Sequence, residues 1–192
     1  MKTLILSLFI FFVFFDCSVM SRPLVGKAPQ GVEDRFLPEG DGIKVEAWIQ
    51  NLEIPWPLLF LPDGRALVSE RPGRIRLIKD GKLRGDPYAK LEVAHQGEGG
   101  LMGLAIPPEF LAKPYLYAMH TYQKNGNLYN RVVRLMDLGD KGILDRVIID
   151  KIPGGRFHDG GRIAFGPDGL LYITTGETFK AELAQDLRSL GG

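Results

Sequence analysis

Two stretches constrain the fold most: LLFLPDGRALVSE (Leu58 to Glu70) and RIAFGPDGLLYITTGE (Arg162 to Glu177). Each carries an apolar segment with Phe into Pro-Asp-Gly and out into a second apolar segment that closes on Ser or Thr and an acid. Proline presets φ, aspartate bonds the backbone two residues on, and glycine accepts positive φ, so each stretch reads as a β-hairpin. A looser third copy, GLAIPPEFLAKPYLYAMHTY (Gly103 to Tyr122), has a longer turn. Pro62, Pro107 and Pro167 stand 45 and 60 residues apart. A spacing of roughly 40–50 residues per four-stranded unit is that of β-propeller blades. An ordinary β-sandwich is the other architecture such turns allow. Further strands are expected at Ile43–Ile49, Arg74–Lys79, Tyr129–Leu138 and Arg146–Ile152. The 24 glycines and 13 prolines agree with a turn-rich, all-β chain. Near the end, Leu183, Leu187 and Leu190 are spaced for a short helix, with a long inter-strand loop as the alternative.

The first residues read as an export signal. Lys2 precedes the apolar run LILSLFIFFVFF, too short for a membrane span, which needs ~20 apolar residues. The small residues of SVMS suit cleavage after Ser21, which gives a signal peptide over 1–21 and a periplasmic or secreted product. Residues 22–40 lack apolar periodicity and read as a flexible lead-in, with the folded domain over 41–192. Cys17 is the only cysteine, so no internal disulfide can form. Asp16 before it disfavours a lipid anchor. With 24 basic and 23 acidic residues, the chain has no charge footprint for nucleic acid.

Several residues could carry chemistry. GEGGLMG (Gly97 to Gly103) has the wrong glycine spacing for a dinucleotide fingerprint, and Pro107 and Pro108 stop a helix from opening behind it. Its glycines leave space around Glu98, which is either a solvated turn residue or a carboxylate presented to a ligand. His95, His120 and His158 lack zinc-site spacing and cysteine support, so no metal is assigned to them; His120 is expected to be partly packed. His158 and Glu177 flank the second Pro-Asp-Gly hairpin, whose antiparallel strands bring its outer ends together. A carboxylate beside imidazole fixes its tautomer and favours its protonated form, which makes this pair a candidate catalytic dyad or, alternatively, a surface ion pair.

Taken together, IPWPLLFLPDGRALVSERPGRIRLI, HQGEGGLMGLAIPPEF and FHDGGRIAFGPDGLLYITTGE resemble the soluble pyrroloquinoline-quinone-dependent sugar dehydrogenases, the glucose/sorbosone dehydrogenase group that includes aldose sugar dehydrogenases. The resemblance runs from about Ile43 to Gly192. It implies a six-bladed β-propeller of which about three blades are present, and oxidation of the anomeric C–OH of an aldose to the lactone with hydride passing to the quinone. His158, in an H-x-x-G-R motif, falls at the family's general base, Glu177 at the acid that orients it, and Glu98 at a residue that contacts the sugar. Pyrroloquinoline quinone, calcium, an aldose and an external electron acceptor are the implied cofactors and partners. The residues that bind the quinone, and most calcium ligands, are expected beyond Gly192, so the chain is expected to be an inactive fragment. Phe157 and Glu98 depart from the glucose-oxidising pattern, which has aspartate and an amide there, so sugar preference does not carry over. A non-catalytic propeller ectodomain that binds carbohydrate or protein is the rival reading. A propeller lactonase would need a calcium site that these residues do not assemble.

Overall fold

The two Pro-Asp-Gly turns close hairpins of matching geometry in the computed structural model, which describes residues 47–191. Strands β1 (Pro55–Phe60) and β2 (Ala66–Glu70) meet at Phe60↔Ala66. In the first turn Asp63 Oδ1 accepts the Arg65 N–H at 3.1 Å and Gly64 sits at φ +87°. In the second, Asp168 Oδ1 accepts the Leu170 N–H at 3.0 Å and Gly169 sits at φ +76°. The aspartate side chain and the left-handed glycine do the same work in both, as turn chemistry requires.

From the first hairpin the chain continues through β3 (Arg74–Lys79), the short β4 (Lys82–Leu83) and β5 (Ala89–Lys90), all antiparallel in one sheet ordered β1-β2-β3-β4, with β5 also on β3. A second meander has the order β6-β7-β8-β9: β6 (Leu101–Ala105), β7 (Tyr115–Lys124), β8 (Asn127–Asp137) and β9 (Gly142–Pro153). The third sheet is the hairpin of β10 (Gly160–Phe165) and β11 (Leu171–Thr175). The first strand of each sheet carries the same defect. The pairing register shifts between Pro55 and Leu58, between Leu101 and Leu104, and between Gly160 and Ile163. A bulge repeated at one place marks a repeated unit and re-aims the chain at that end of each sheet.

The sheets stack face to face with the second in the middle. Leu67, Ile75 and Leu77 of the first sheet pack on Leu101, Leu116, Val133 and Leu135 of the second. The opposite face of the second sheet, with Met102, Met119, Val132 and Ile152, packs on Ile163, Phe165 and Ile173 of the hairpin. Strands β6 and β10 approach so closely that a side chain on Gly103 would collide with the Gly161 carbonyl. This is the arrangement of propeller blades, and the three sheets do not close into a ring.

Expectation and structure differ at both ends. The expected strand over 43–49 lies partly outside the described residues, and Ala47–Ile49 form no strand. The expected helix near the end is a single 3-10 turn over Ala181–Gln185 that buries no residue, so no packing sustains it. The expected signal peptide, lead-in and Cys17 lie outside the described residues.

Candidate active site

The third hairpin delivers two side chains to one place. Gly160 pairs with Thr175, so the residues just outside that pair are neighbours. His158 Nδ1 lies 2.6 Å from Glu177 Oε1. The carboxylate accepts the Nδ1 proton, which leaves Nε2 of the neutral ring with its lone pair free. The hydrogen bond to Glu177, helped by the charges of Glu177 and Glu98, raises the His158 pKa above 6.5. Reciprocally, the bond to His158, with the Phe179 N–H donating at 3.2 Å, holds the Glu177 carboxyl below its usual range. The Phe179 ring stands 4.2 Å from the imidazole, centroid to centroid, and Phe157 meets Phe179 edge-on. The His158 side chain is 47 % exposed, open to a ligand.

The backbone here is strained. His158 (φ +56°), Thr178 (+52°) and Phe179 (+62°) all occupy the left-handed region, at a cost of roughly 1–2 kcal/mol each. Such residues persist only where surrounding structure fixes them, and they gather at functional sites. Gly176 is part of that support, because a side chain there would collide with the His158 carbonyl. Thr178 N–H also points at that carbonyl, at 3.4 Å.

The loop before β6 closes on the same segment. Glu98 N–H donates to the Arg156 carbonyl at 2.6 Å, and Glu98 Oε2 accepts the His158 main-chain N–H at 2.9 Å. Gly97, at φ +58°, lies so near Arg156 that any side chain would strike its carbonyl. Arg71 supports the loop from behind, with its Nη2 bonded to the carbonyls of Gly97 and, at 3.1 Å, Gly99. Deeper, a string of buried bonds ties the two glycine loops together. Gly100 N–H donates to Thr121 Oγ1 (3.2 Å), Thr121 Oγ1 to Asn130 Oδ1 (2.8 Å), and Asn130 Nδ2 to Asp159 Oδ1 (2.8 Å). Asp159 is 2 % exposed, and burial raises its pKa.

The three histidines stand apart in role. His120, expected to be partly packed, is fully buried, and desolvation lowers its pKa to about 4. It is therefore neutral at pH 7: Nδ1 donates to the Thr121 carbonyl at 3.2 Å, and Nε2 accepts from Arg131 Nε at 3.0 Å. His95 is exposed. Among the described residues, no three His, Cys, Asp or Glu side chains group closely enough to hold a metal ion. Sequence reading missed Arg71, Phe179 and the Thr121–Asn130–Asp159 string. Only Asp159, inside the HDGG stretch, gave a local signal.

The pair makes a prediction about titration. Glu177→Gln removes the charge that stabilises the imidazolium, so the His158 pKa should fall toward 6.5, read by NMR titration of the ring. A raised histidine pKa means that the pair stabilises the fold below pH 6.5 and loses that contribution as pH rises through the folded-state pKa. An unmoved ring titration in Glu177→Gln would show that the contact has no electrostatic weight.

Stacked antiparallel sheets that repeat one hairpin geometry, with a histidine–carboxylate pair at the open end of the third, define a class. The chain belongs to the glucose/sorbosone dehydrogenase family, whose pattern matches residues 52–192. Among solved structures it is similar to an oxidoreductase (glucose dehydrogenase) of Thermus thermophilus, 57 % identical, with a TM-score of 0.74 over 79 % of this chain and 46 % of that one. It is also similar to the PQQ-bound aldose sugar dehydrogenase of Streptomyces coelicolor, 37 % identical, with a TM-score of 0.63 over 73 % and 43 %. The aldose sugar dehydrogenase of Escherichia coli is 30 % identical over 157 residues, 78 % of this chain and 42 % of that protein. The chain thus spans less than half the length of these relatives.

Proposed function

We propose that the whole protein is an aldose dehydrogenase using pyrroloquinoline quinone, and that this chain supplies its proton acceptor. The observation that carries the reading is the 2.6 Å bond from His158 Nδ1 to Glu177, which leaves Nε2 open to a ligand. In the reaction the anomeric hydroxyl gives its proton to His158 Nε2 as the C1–H bond breaks with its electron pair, and the sugar leaves as the lactone. When bound, the quinone supplies the two-electron acceptor, and the electrons pass on to an external acceptor. Loss of the O–H proton raises electron density at C1 and eases departure of the hydride, so a positioned base lowers the barrier. Glu177 stabilises the imidazolium so formed. Glu98 stands within the same loop pair, where a sugar contact would fall.

The quinone is a flat tricarboxylate, and the residues around His158 meet its chemistry on one side. Phe179 offers a flat wall beside the imidazole. Arg156 and Arg162 flank His158 in the sequence, and the Arg162 guanidinium stacks at 4.8 Å on Trp56. For calcium, the described residues offer no comparable cluster.

The same proposal holds that residues 1–192 alone do not turn over sugar, since the three sheets are not closed. It also places the protein outside the cytoplasm, periplasmic or secreted, on the strength of the leader over 1–21. No helix among the described residues is long and apolar enough to cross a membrane. The test is dye reduction by the purified full-length protein with a panel of aldoses, with and without added quinone and calcium. Sugar-dependent reduction that requires the quinone is expected. Equal reduction without quinone, or none with any aldose, would contradict the reading.

A further inference from the structure

Glu98 is the residue whose part in the site the sequence leaves open, and the structure commits both of its ends to one neighbour. Its main-chain N–H holds the Arg156 carbonyl, and its carboxylate holds the His158 main-chain N–H. Two bonds from one residue therefore grip the chain on either side of Phe157, at the step that turns His158 into the left-handed region. The gripping loop is itself fixed. Gly97 has no side chain to keep it away from Arg156, and Arg71 pins the carbonyls on either side of Glu98. A carboxylate is the stronger acceptor for such a task, because a charged acceptor shortens and strengthens an N–H···O bond.

We propose that Glu98 is a positioning residue that aims the His158 imidazole by holding its main-chain N–H, rather than a group whose first duty is to bind sugar. This deepens the reading of His158 as proton acceptor and rests on it. A sugar hydroxyl approaching Glu98 would meet a carboxylate with one oxygen already engaged by the base. The exposed loop around His158 offers no strand pairing to that amide. Its neighbour Asp159 is anchored separately, through Asn130 and the Gly155 N–H, and the His158 carbonyl faces the Thr178 N–H at 3.4 Å, so Glu98 is what holds the N–H side of the His158 backbone.

The experiment compares Glu98→Ala, Glu98→Ser and Glu98→Gln in the histidine-labelled full-length protein, first by NMR and then by kinetics. In Glu98→Ala the His158 amide should exchange with solvent on the order of tenfold faster, as expected for one lost charge-assisted hydrogen bond. Glu98→Ser, whose hydroxyl is too short to reach, should behave alike. Glu98→Gln keeps an acceptor oxygen and should regain most of the protection, while its missing charge lowers the imidazole pKa. In turnover, Glu98→Ala should lose about 10- to 100-fold in kcat with little change in KM, the signature of a misaimed group, and Glu98→Gln should recover most of that loss. His158 exchange unchanged in both Glu98→Ala and Glu98→Ser would overturn the proposal. So would a raised KM at retained kcat, which marks a sugar contact. The exchange readout needs neither sugar nor quinone. A parent protein that oxidises no aldose would therefore refute the proton-acceptor reading, and the amide would still decide what Glu98 holds.

Discussion

His158→Ala in the full-length protein is expected to lower kcat for aldose oxidation by about 10²–10⁴-fold, the usual worth of a positioned general base. The loss should appear with cofactor binding retained, because the side chain is half exposed and its removal opens no cavity in either apolar cluster. Glu177 keeps its main-chain partner at Phe179, so the loop has a reason to stay in place. Stopped-flow mixing with sugar then separates the effects: quinone binding should match the parent, and its reduction should be slow. A fall in quinone affinity equal to the fall in rate would make His158 a structural residue. A parent protein that binds carbohydrate and oxidises none would favour a non-catalytic propeller.

The second large effect concerns the contact between the first two sheets. Asp137, at the end of β8, accepts two bonds from Arg65 in the first Pro-Asp-Gly turn, at 2.9 and 2.6 Å, and one from the Tyr88 hydroxyl at 2.7 Å. Arg65, Asp137 and Tyr88 are all buried. Asp137→Ala strands a guanidinium that keeps only Asp63 and the Gly139 carbonyl, and leaves a phenol with no acceptor. Removing one partner of a buried pair costs about 3–5 kcal/mol, which for a domain of this size is a fall of roughly 10 °C in melting temperature. Burial is the main reason the Tyr88 hydroxyl stays protonated and it persists in the variant, so the phenol cannot compensate by ionising. The double replacement Arg65→Met with Asp137→Leu should cost far less, because it removes both charges together. A melt of Asp137→Ala within about 2 °C of the parent would show that the bridge carries little net stability.

What the sequence made legible is what local chemistry dictates. Asp63, Gly64, Asp168 and Gly169 form their turns with residues next to them, so the two hairpins could be read directly. The meeting of His158 and Glu177 followed, because a hairpin with a fixed turn also fixes its open end. The Glu98 contact was not legible in the same way. It spans sixty residues and joins different sheets, so it depends on how the second sheet packs on the third. The left-handed backbone of His158 gave no signal either, since the room for it comes from Gly176 across the loop. His120 looked partly packed at a strand end, but β7 runs on to Lys124, so the residue sits mid-strand, fully buried. The leucines near the end had helical spacing with nothing to pack against, and spacing alone did not make a helix.

The central claim is that the proton released from the sugar goes to His158. The direct measurement is the pH dependence of aldose oxidation by the full-length protein, set beside the imidazole titration of His158 followed by NMR in the same protein. A base must be neutral to act, so the rate should rise with pH through the His158 pKa, above 6.5, and both curves should share one midpoint. In Glu177→Gln both midpoints should move to lower pH together. A rate profile that stays fixed while the imidazole titration moves would contradict the account.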